Sequence, residues 1–237
     1  GRPAPGQVGD PPSVGDREPG AVVLRGLDLV DQCDGEVLAG EIRVAVLVGQ
    51  QHVAADEPAY SMGLAVNAEP DSEWLRYSYT SLTTPATTYE VNVATGERRM
   101  LKQQPVIGYD PSQYVTERVW SEARDGTRIP VSLVYRKGFE KNGEAAMLQY
   151  AYGSYGMSMD PGFNLPVVSL LDRGMVYAIA HIRGGQEMGR RWYDDGKLFN
   201  KVNTFTDFID VTRDLVARGY AAKDRVAGYG GSAGGLL

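Results

Sequence analysis

Near the end of the chain, Gly228-Tyr229-Gly230-Gly231-Ser232-Ala233-Gly234-Gly235 sets one serine among five glycines. Gly230-x-Ser232-x-Gly234 fits a nucleophile elbow, where a strand turns abruptly into a helix and presents a serine at the tip. Glycines flank such a serine because the turn forces strained backbone angles and leaves no room for a Cβ beside the neighbouring strand and helix. The N–H of Ala233, one residue past the serine, would be one donor to the oxyanion of acyl transfer. In this architecture the acid and the histidine follow the serine in chain order. Here five residues follow Ser232, and none is Asp, Glu or His. The sequence therefore holds a nucleophile without its base, and it reads as a fragment. A bare G-x-S-x-G also arises by chance in a chain with 29 glycines. Its place directly after a strand favours the catalytic reading.

The second oxyanion donor should come from the loop between Ala151 and Phe163, which opens Tyr152-Gly153-Ser154-Tyr155-Gly156. A tyrosine hydroxyl is a strong donor on a rigid arm. The bland reading makes both tyrosines packing residues of a glycine-rich turn, and spacing alone does not separate the two. His181 precedes the serine and sits in an apolar run, so it reads as a structural histidine; His52 reads as a surface residue. Arg183-Gly184-Gly185 with Glu187 fits either a substrate role or an Arg–Glu pair bracing a turn. Asp194 and Asp195 have no His or Cys nearby and read as a solvated loop rather than a metal pair.

The elements that must position these residues are legible from period and punctuation. Leu75 to Thr80 alternates at period two, Thr83-Thr84-Pro85 breaks it, and Thr88 to Val93 is a second strand. Thr95-Gly96 turns into a third at Arg98 to Leu101. This β-meander is the unit of a sandwich edge or a propeller blade. Gly108-Tyr109-Asp110-Pro111 looks like a linker. Beyond it, Tyr114 to Trp120 and Ile129 to Tyr135 pair as a hairpin around Asp125-Gly126, and Ala145 to Ala151 suits a buried strand. A helix over Phe163 to Arg173 stops at Gly174, and Met175 to Ile182 is another buried strand. Phe205 to Ala217 carries one apolar helical stripe, and Arg225 to Tyr229 leads into the elbow. Alternating strands and helices predict a parallel sheet with helices on its faces, the opening portion of an α/β-hydrolase fold.

At 237 residues the chain can form one large domain or parts of two. Residues 1–20 hold five Gly and five Pro and read as disordered, while residues 21–55 suggest two or three short strands without a further assignment. No apolar run approaches the roughly 20 residues of a membrane span, and no secretory leader is visible. Cys33 is the only cysteine, which excludes an internal disulfide and favours a reducing, cytoplasmic setting. The net charge of −6 argues against nucleic acid or anionic membrane as the main partner.

Four motifs in order carry a more specific signal: Tyr152-Gly-Ser-Tyr-Gly; Arg183-Gly-Gly-Gln-Glu-Met-Gly with Trp192-Tyr193-x-x-Gly196-Lys197; Asn203-Thr-Phe-x-Asp207-Phe; and Gly230-Gly-Ser-Ala-Gly-Gly. From about Asp56 to Leu237 the chain resembles the prolyl oligopeptidase family of serine peptidases, most closely its oligopeptidase B branch. The resemblance implies an α/β fold: the first part of an α/β-hydrolase domain (109–237) preceded by the last part of a β-propeller (56–108), with 1–55 unassigned. It implies cleavage of short basic peptides after Arg or Lys through an acyl-enzyme, without metal or organic cofactor. Ser232 would be the nucleophile, with Tyr152 and the Ala233 amide as oxyanion donors. Family members carry an Asp-x-Asp pair for the P2 side chain. Asp160-Pro161-Gly162 keeps the first, a substrate-binding carboxylate, and loses the second. The catalytic Asp and His and the P1-binding glutamates would lie beyond Leu237, so the isolated chain is expected to be inactive. An acylaminoacyl peptidase or esterase of the same fold, or a non-catalytic product, are the alternatives.

Overall fold

The computed structural model describes residues 46–48, 51–53 and 55–237. The disorder expected for residues 1–20, most of the strands expected over 21–55, and the side chain of His52 lie outside the described residues. Within the expected strand region, β1 (Val46–Val48) and β2 (Gln51–Val53) pair as an antiparallel hairpin.

The first larger layer is a four-stranded antiparallel meander of β3 (Tyr60–Leu64), β4 (Trp74–Ser81), β5 (Thr87–Asn92) and β6 (Arg98–Gln103) in sequential order. In β4, residues 75, 77, 79 and 81 are buried while 76 and 78 face solvent, so the period-two pattern expresses itself directly. Leu75, Tyr77, Tyr79 and Val91 form the local core, with Tyr77 stacked on Tyr89 at 5.4 Å between ring centroids. The three strands expected over 75–101 are all present. Strand β3 went unread because Tyr60–Leu64 is half-buried throughout and shows no alternation.

The second layer is a five-stranded mixed sheet in the order β11-β9-β10-β8-β7. Its strands are β7 (Tyr114–Glu122), β8 (Arg128–Arg136), β9 (Met147–Tyr150), β10 (Val176–Ala180) and β11 (Val226–Tyr229). β10 and β11 both run parallel to β9, while β8 runs antiparallel to β10 and to β7. The sheet is thus parallel only where helices connect its strands. The Asp125-Gly126 hairpin, which needs no crossover, forces the antiparallel edge.

Alternate residues feed two cores. Val176, Ala178 and Ala180 of β10 join Ile129, Val131 and Leu133 of β8 beneath helix α3 (Val202–Ala217), which contributes Val211 and Leu215. On the other face Tyr177, Ile179 and Val134 pack against Val167 and Leu171 of helix α1 (Leu165–Leu171), together with Ala59 and Leu82 from the meander layer. Burying a side chain of this size contributes about 1.5–3 kcal/mol. The shared cluster therefore fastens the two layers as well as filling the hydrolase half. Helix α1 starts two residues later than the apolar pattern suggested, because Asn164 is still extended and serves as its N-cap. A one-and-a-half-turn helix, α2 (Arg190–Asp194), lies between β10 and α3. It is too short to generate a periodic signal.

Candidate active site

Strand β11 delivers the elbow. Its Tyr229 is in register with Tyr150 of β9, and the next residues lift off the sheet. Ser232 is exposed and holds φ at +54°, a left-handed conformation rare for a residue with a Cβ. Such strain persists only where the surroundings impose it, and two glycines show how they do. A Cβ on Gly230 would lie 2.0 Å from the Gly234 carbonyl oxygen. One on the buried Gly234 would lie 3.1 Å from the Ala151 carbonyl oxygen and 3.2 Å from the Tyr152 Cα and Cδ2. The elbow is therefore pressed against the backbone and ring of Tyr152, the other sequence-selected donor. Ser232 opens a short 3-10 turn (Ser232–Leu236), and the first N–H groups of a helical turn have no internal acceptor. The Ala233 N–H makes no backbone hydrogen bond among the described residues.

The loop carrying Tyr152 is braced from behind. The Lys201 ammonium, at the start of α3, donates to the Gly153 carbonyl at 2.6 Å and to Ser154 Oγ at 2.8 Å. The Gly156 N–H donates to the Gly184 carbonyl at 2.9 Å. Gly184 itself is at φ +103°, with its virtual Cβ 2.1 Å from the Gly153 carbonyl oxygen. No signal in the sequence marked Lys201.

Asp160 stands across the cleft. A cavity of about 440 Å³ extends from Gly231 and Tyr229 beside Ser232, over Tyr150 and Tyr177, to Asp160 and Phe163. The structure thus brings Asp160 and the elbow to one cleft. The Asp160 loop is tied to both layers. The Met159 N–H donates to Glu187 Oε1 at 2.9 Å, Ser61 of β3 donates to Asp160 Oδ2 at 3.4 Å, and the Phe163 N–H donates to Thr80 Oγ1 of β4 at 3.1 Å. Desolvation raises the Asp160 pKa; the like charge of Glu187 adds to the rise, while Ser61 and Arg118 oppose it.

His181 lies just past β10 and is almost fully buried. Its Nε2 is 2.7 Å from Arg118 NH1 and 2.8 Å from Ser132 Oγ. Arg118 can only donate, so Nε2 accepts and the ring proton sits on Nδ1. Burial first, and Arg118 second, lower the His181 pKa to about 4. A neutral ring whose free lone pair is committed to Arg118 is no base for Ser232. Arg183 does not brace its turn through Glu187. Its guanidinium pairs with buried Asp207 of α3 at 2.5 Å and with Asp125 at 2.7 Å. Asp207 lies 24 residues on and was unreadable as its partner. Asp194 pairs with Lys197 and Arg190, and Asp195 with Arg191, so these carboxylates belong to the α2 region. Among the described residues, no helix is long and apolar enough to cross a membrane.

An antiparallel meander, then a mixed sheet with helices on its faces, then a closing strand and elbow define the opening portion of an α/β-hydrolase fold. Residues 35–104 match the model of the prolyl oligopeptidase N-terminal β-propeller domain, and residues 161–237 match that of the prolyl oligopeptidase family. The chain belongs to the prolyl oligopeptidase family. It is 75% identical over 187 residues to dipeptidyl aminopeptidase BI of Pseudoxanthomonas mexicana, covering 78% of this chain and 26% of that protein. It is 44% identical over 188 residues to protease 2 of Moraxella lacunata, covering 79% and 27%. Oligopeptidase B from Leishmania major superposes with a TM-score of 0.71 at 40% identity, over 78% of this chain and 26% of that one. The chain thus spans about a quarter of the length of the relatives it matches.

Proposed function

We propose that residues 109–237 supply the nucleophile half of a serine oligopeptidase active site, with residues 56–108 as the end of its propeller. Ser232 Oγ attacks the scissile carbonyl while a histidine outside these 237 residues takes its proton. The Tyr152 hydroxyl and Ala233 N–H hold the oxyanion, and collapse expels the protonated amine and leaves an acyl-enzyme for water to cleave. Asp160 draws a cationic substrate residue into the cleft, and cleavage follows Arg or Lys. The observation that carries this reading is Ser232, held at φ +54° on an elbow whose Gly234 touches Tyr152. The lone cysteine favours a cytoplasmic setting. Isolated, the 237-residue chain should be inactive, because among the described residues His181, buried and bonded to Arg118, offers Ser232 no base.

The test compares kcat/KM of a full-length protein carrying these residues on blocked peptides ending in Arg, Lys or Pro at P1. The reading requires Arg and Lys to lead; a preference for Pro would remove it. A second reading, release of N-terminal dipeptides, draws on the name of the 75% identical relative. Faster cleavage of a free than of an acetylated dipeptide amide would favour it.

A further inference from the structure

Lys201 sits where a cation is disfavoured three times over. It caps the N-terminus of α3, a 16-residue helix, and the helix dipole places partial positive charge at that end. It is partly buried, and burial lowers its pKa with no charged neighbour to oppose the shift. It forms no ion pair among the described residues, whereas Arg183, Arg124 and Lys197 each have a carboxylate within 4 Å. Desolvating an ammonium without a counter-ion is costly. What holds it is a pair of short, charge-assisted hydrogen bonds to the two residues after Tyr152, with the face of the Phe205 ring 5.7 Å away.

We propose that Lys201 is a positioning residue for oxyanion stabilisation: from behind the loop, its ammonium fixes the Gly153 carbonyl and the Ser154 hydroxyl, and through them the Tyr152 arm. The proposal rests on the reading of Tyr152 as an oxyanion donor. A preorganised donor helps only if it does not have to be reoriented as charge develops. The loop is otherwise restrained on its far side by the Gly156–Gly184 hydrogen bond, and Gly184 closely approaches the same Gly153 carbonyl that Lys201 bonds. Lys201 restrains the residue next to Tyr152. The ammonium, with no carboxylate partner among the described residues, also adds positive charge beside the loop. A donor that steadies the arm without touching substrate should change turnover and leave ground-state binding alone.

A double-mutant cycle in a full-length protein carrying these residues tests this. Tyr152→Phe should lower kcat by about 10²–10³-fold. Lys201→Met should lower kcat by roughly tenfold to a hundredfold, with KM changed by less than about threefold. The double variant should be no worse than Tyr152→Phe alone within about threefold, because Lys201 acts through that arm. In a background with Cys33 and every other cysteine of the full-length protein replaced by serine, aminoethylation of Lys201→Cys restores a near-lysine side chain and should return kcat to within about threefold of that background. If Lys201→Met fails to unfold cooperatively, Lys201→Gln carries the same comparison. An unchanged kcat in the Lys201 variant, losses that multiply in the double variant, or no recovery on aminoethylation would overturn the proposal. An unchanged kcat in Tyr152→Phe would instead remove the oxyanion reading itself, and the Lys201 proposal with it.

Discussion

Two parts of one cleft are held in place by different means. At the elbow, placement comes from backbone atoms in close contact: Gly230 against Gly234, and Gly234 against Ala151 and Tyr152. Across the cleft, the Asp160 loop is placed by side chains distant in sequence, with Ser61 99 residues away, Thr80 83 residues from Phe163, and Glu187 28 residues from Met159. Close backbone packing leaves a mark in sequence, because only glycine satisfies it. Long-range hydrogen bonds leave none, because serine, threonine and glutamate are tolerated at many surface positions. Gly230 and Gly234 should therefore be intolerant of a Cβ. The Asp160 loop should accept substitutions and express them as modest changes in selectivity.

The largest expected effect comes from breaking the buried ion pair of Arg183 and Asp207. Asp207→Asn leaves the Arg183 guanidinium with the half-exposed Asp125 as its remaining carboxylate. Losing one partner of a buried pair costs about 3–5 kcal/mol, readable as a fall in the urea midpoint of a full-length protein carrying these residues. Next come two glycines of similar φ and different surroundings. Gly184→Ala meets the Gly153 carbonyl oxygen at 2.1 Å and should cost about 2–4 kcal/mol from strain plus overlap, whereas Gly174→Ala, with nothing within 4 Å, should cost only the roughly 1–2 kcal/mol of left-handed strain. Equal shifts for the two would show that crowding does not set the loop.

An acid titration separates the exposed end of the same ion-pair network. Its bonds to Arg183 and to the Thr127 N–H outweigh desolvation and hold the Asp125 carboxyl at a pKa of about 2. Because the folded pKa lies below the unfolded one, its stabilisation is complete above the ordinary carboxylate range, near pH 4. It fades as pH falls toward 2. Asp125→Asn should flatten that part of the stability–pH curve and leave the slope between pH 6 and 8 unchanged.

How much was legible follows the same division. The meander, the hairpin, helices α1 and α3 and the elbow strand all carried period or glycine signals, and the structure has them. The partner of Arg183, the support of Met159 by Glu187, and the two bonds of Lys201 carried none, because each joins residues that only the fold brings together. Strand β3 and helix α2 were missed for a simpler reason: one lacks alternation and the other lacks length.

The smallest effect concerns substrate choice. A single partly solvated carboxylate near a cation is worth about 1 kcal/mol or less, roughly fivefold in rate at most. Asp160→Asn should therefore lower kcat/KM only modestly for substrates basic at P2. Gly162→Asp is sterically open, since a Cβ there meets only Thr80 Cγ2, at an ordinary 3.6 Å. It should favour dibasic substrates over those neutral at P2, with a gap that narrows in high salt. An equal effect on both substrate types would remove Asp160 from the binding residues.

The central claim, that Ser232 on its strained elbow is the nucleophile, is tested most directly by covalent labelling. A full-length protein carrying these residues is treated with a fluorophosphonate, digested, and the modified peptide identified by mass spectrometry. One stoichiometric adduct is expected on the peptide containing Ser232, abolished by Ser232→Ala, and none on the isolated 237-residue chain. A label on another residue, or one that survives Ser232→Ala, would contradict it.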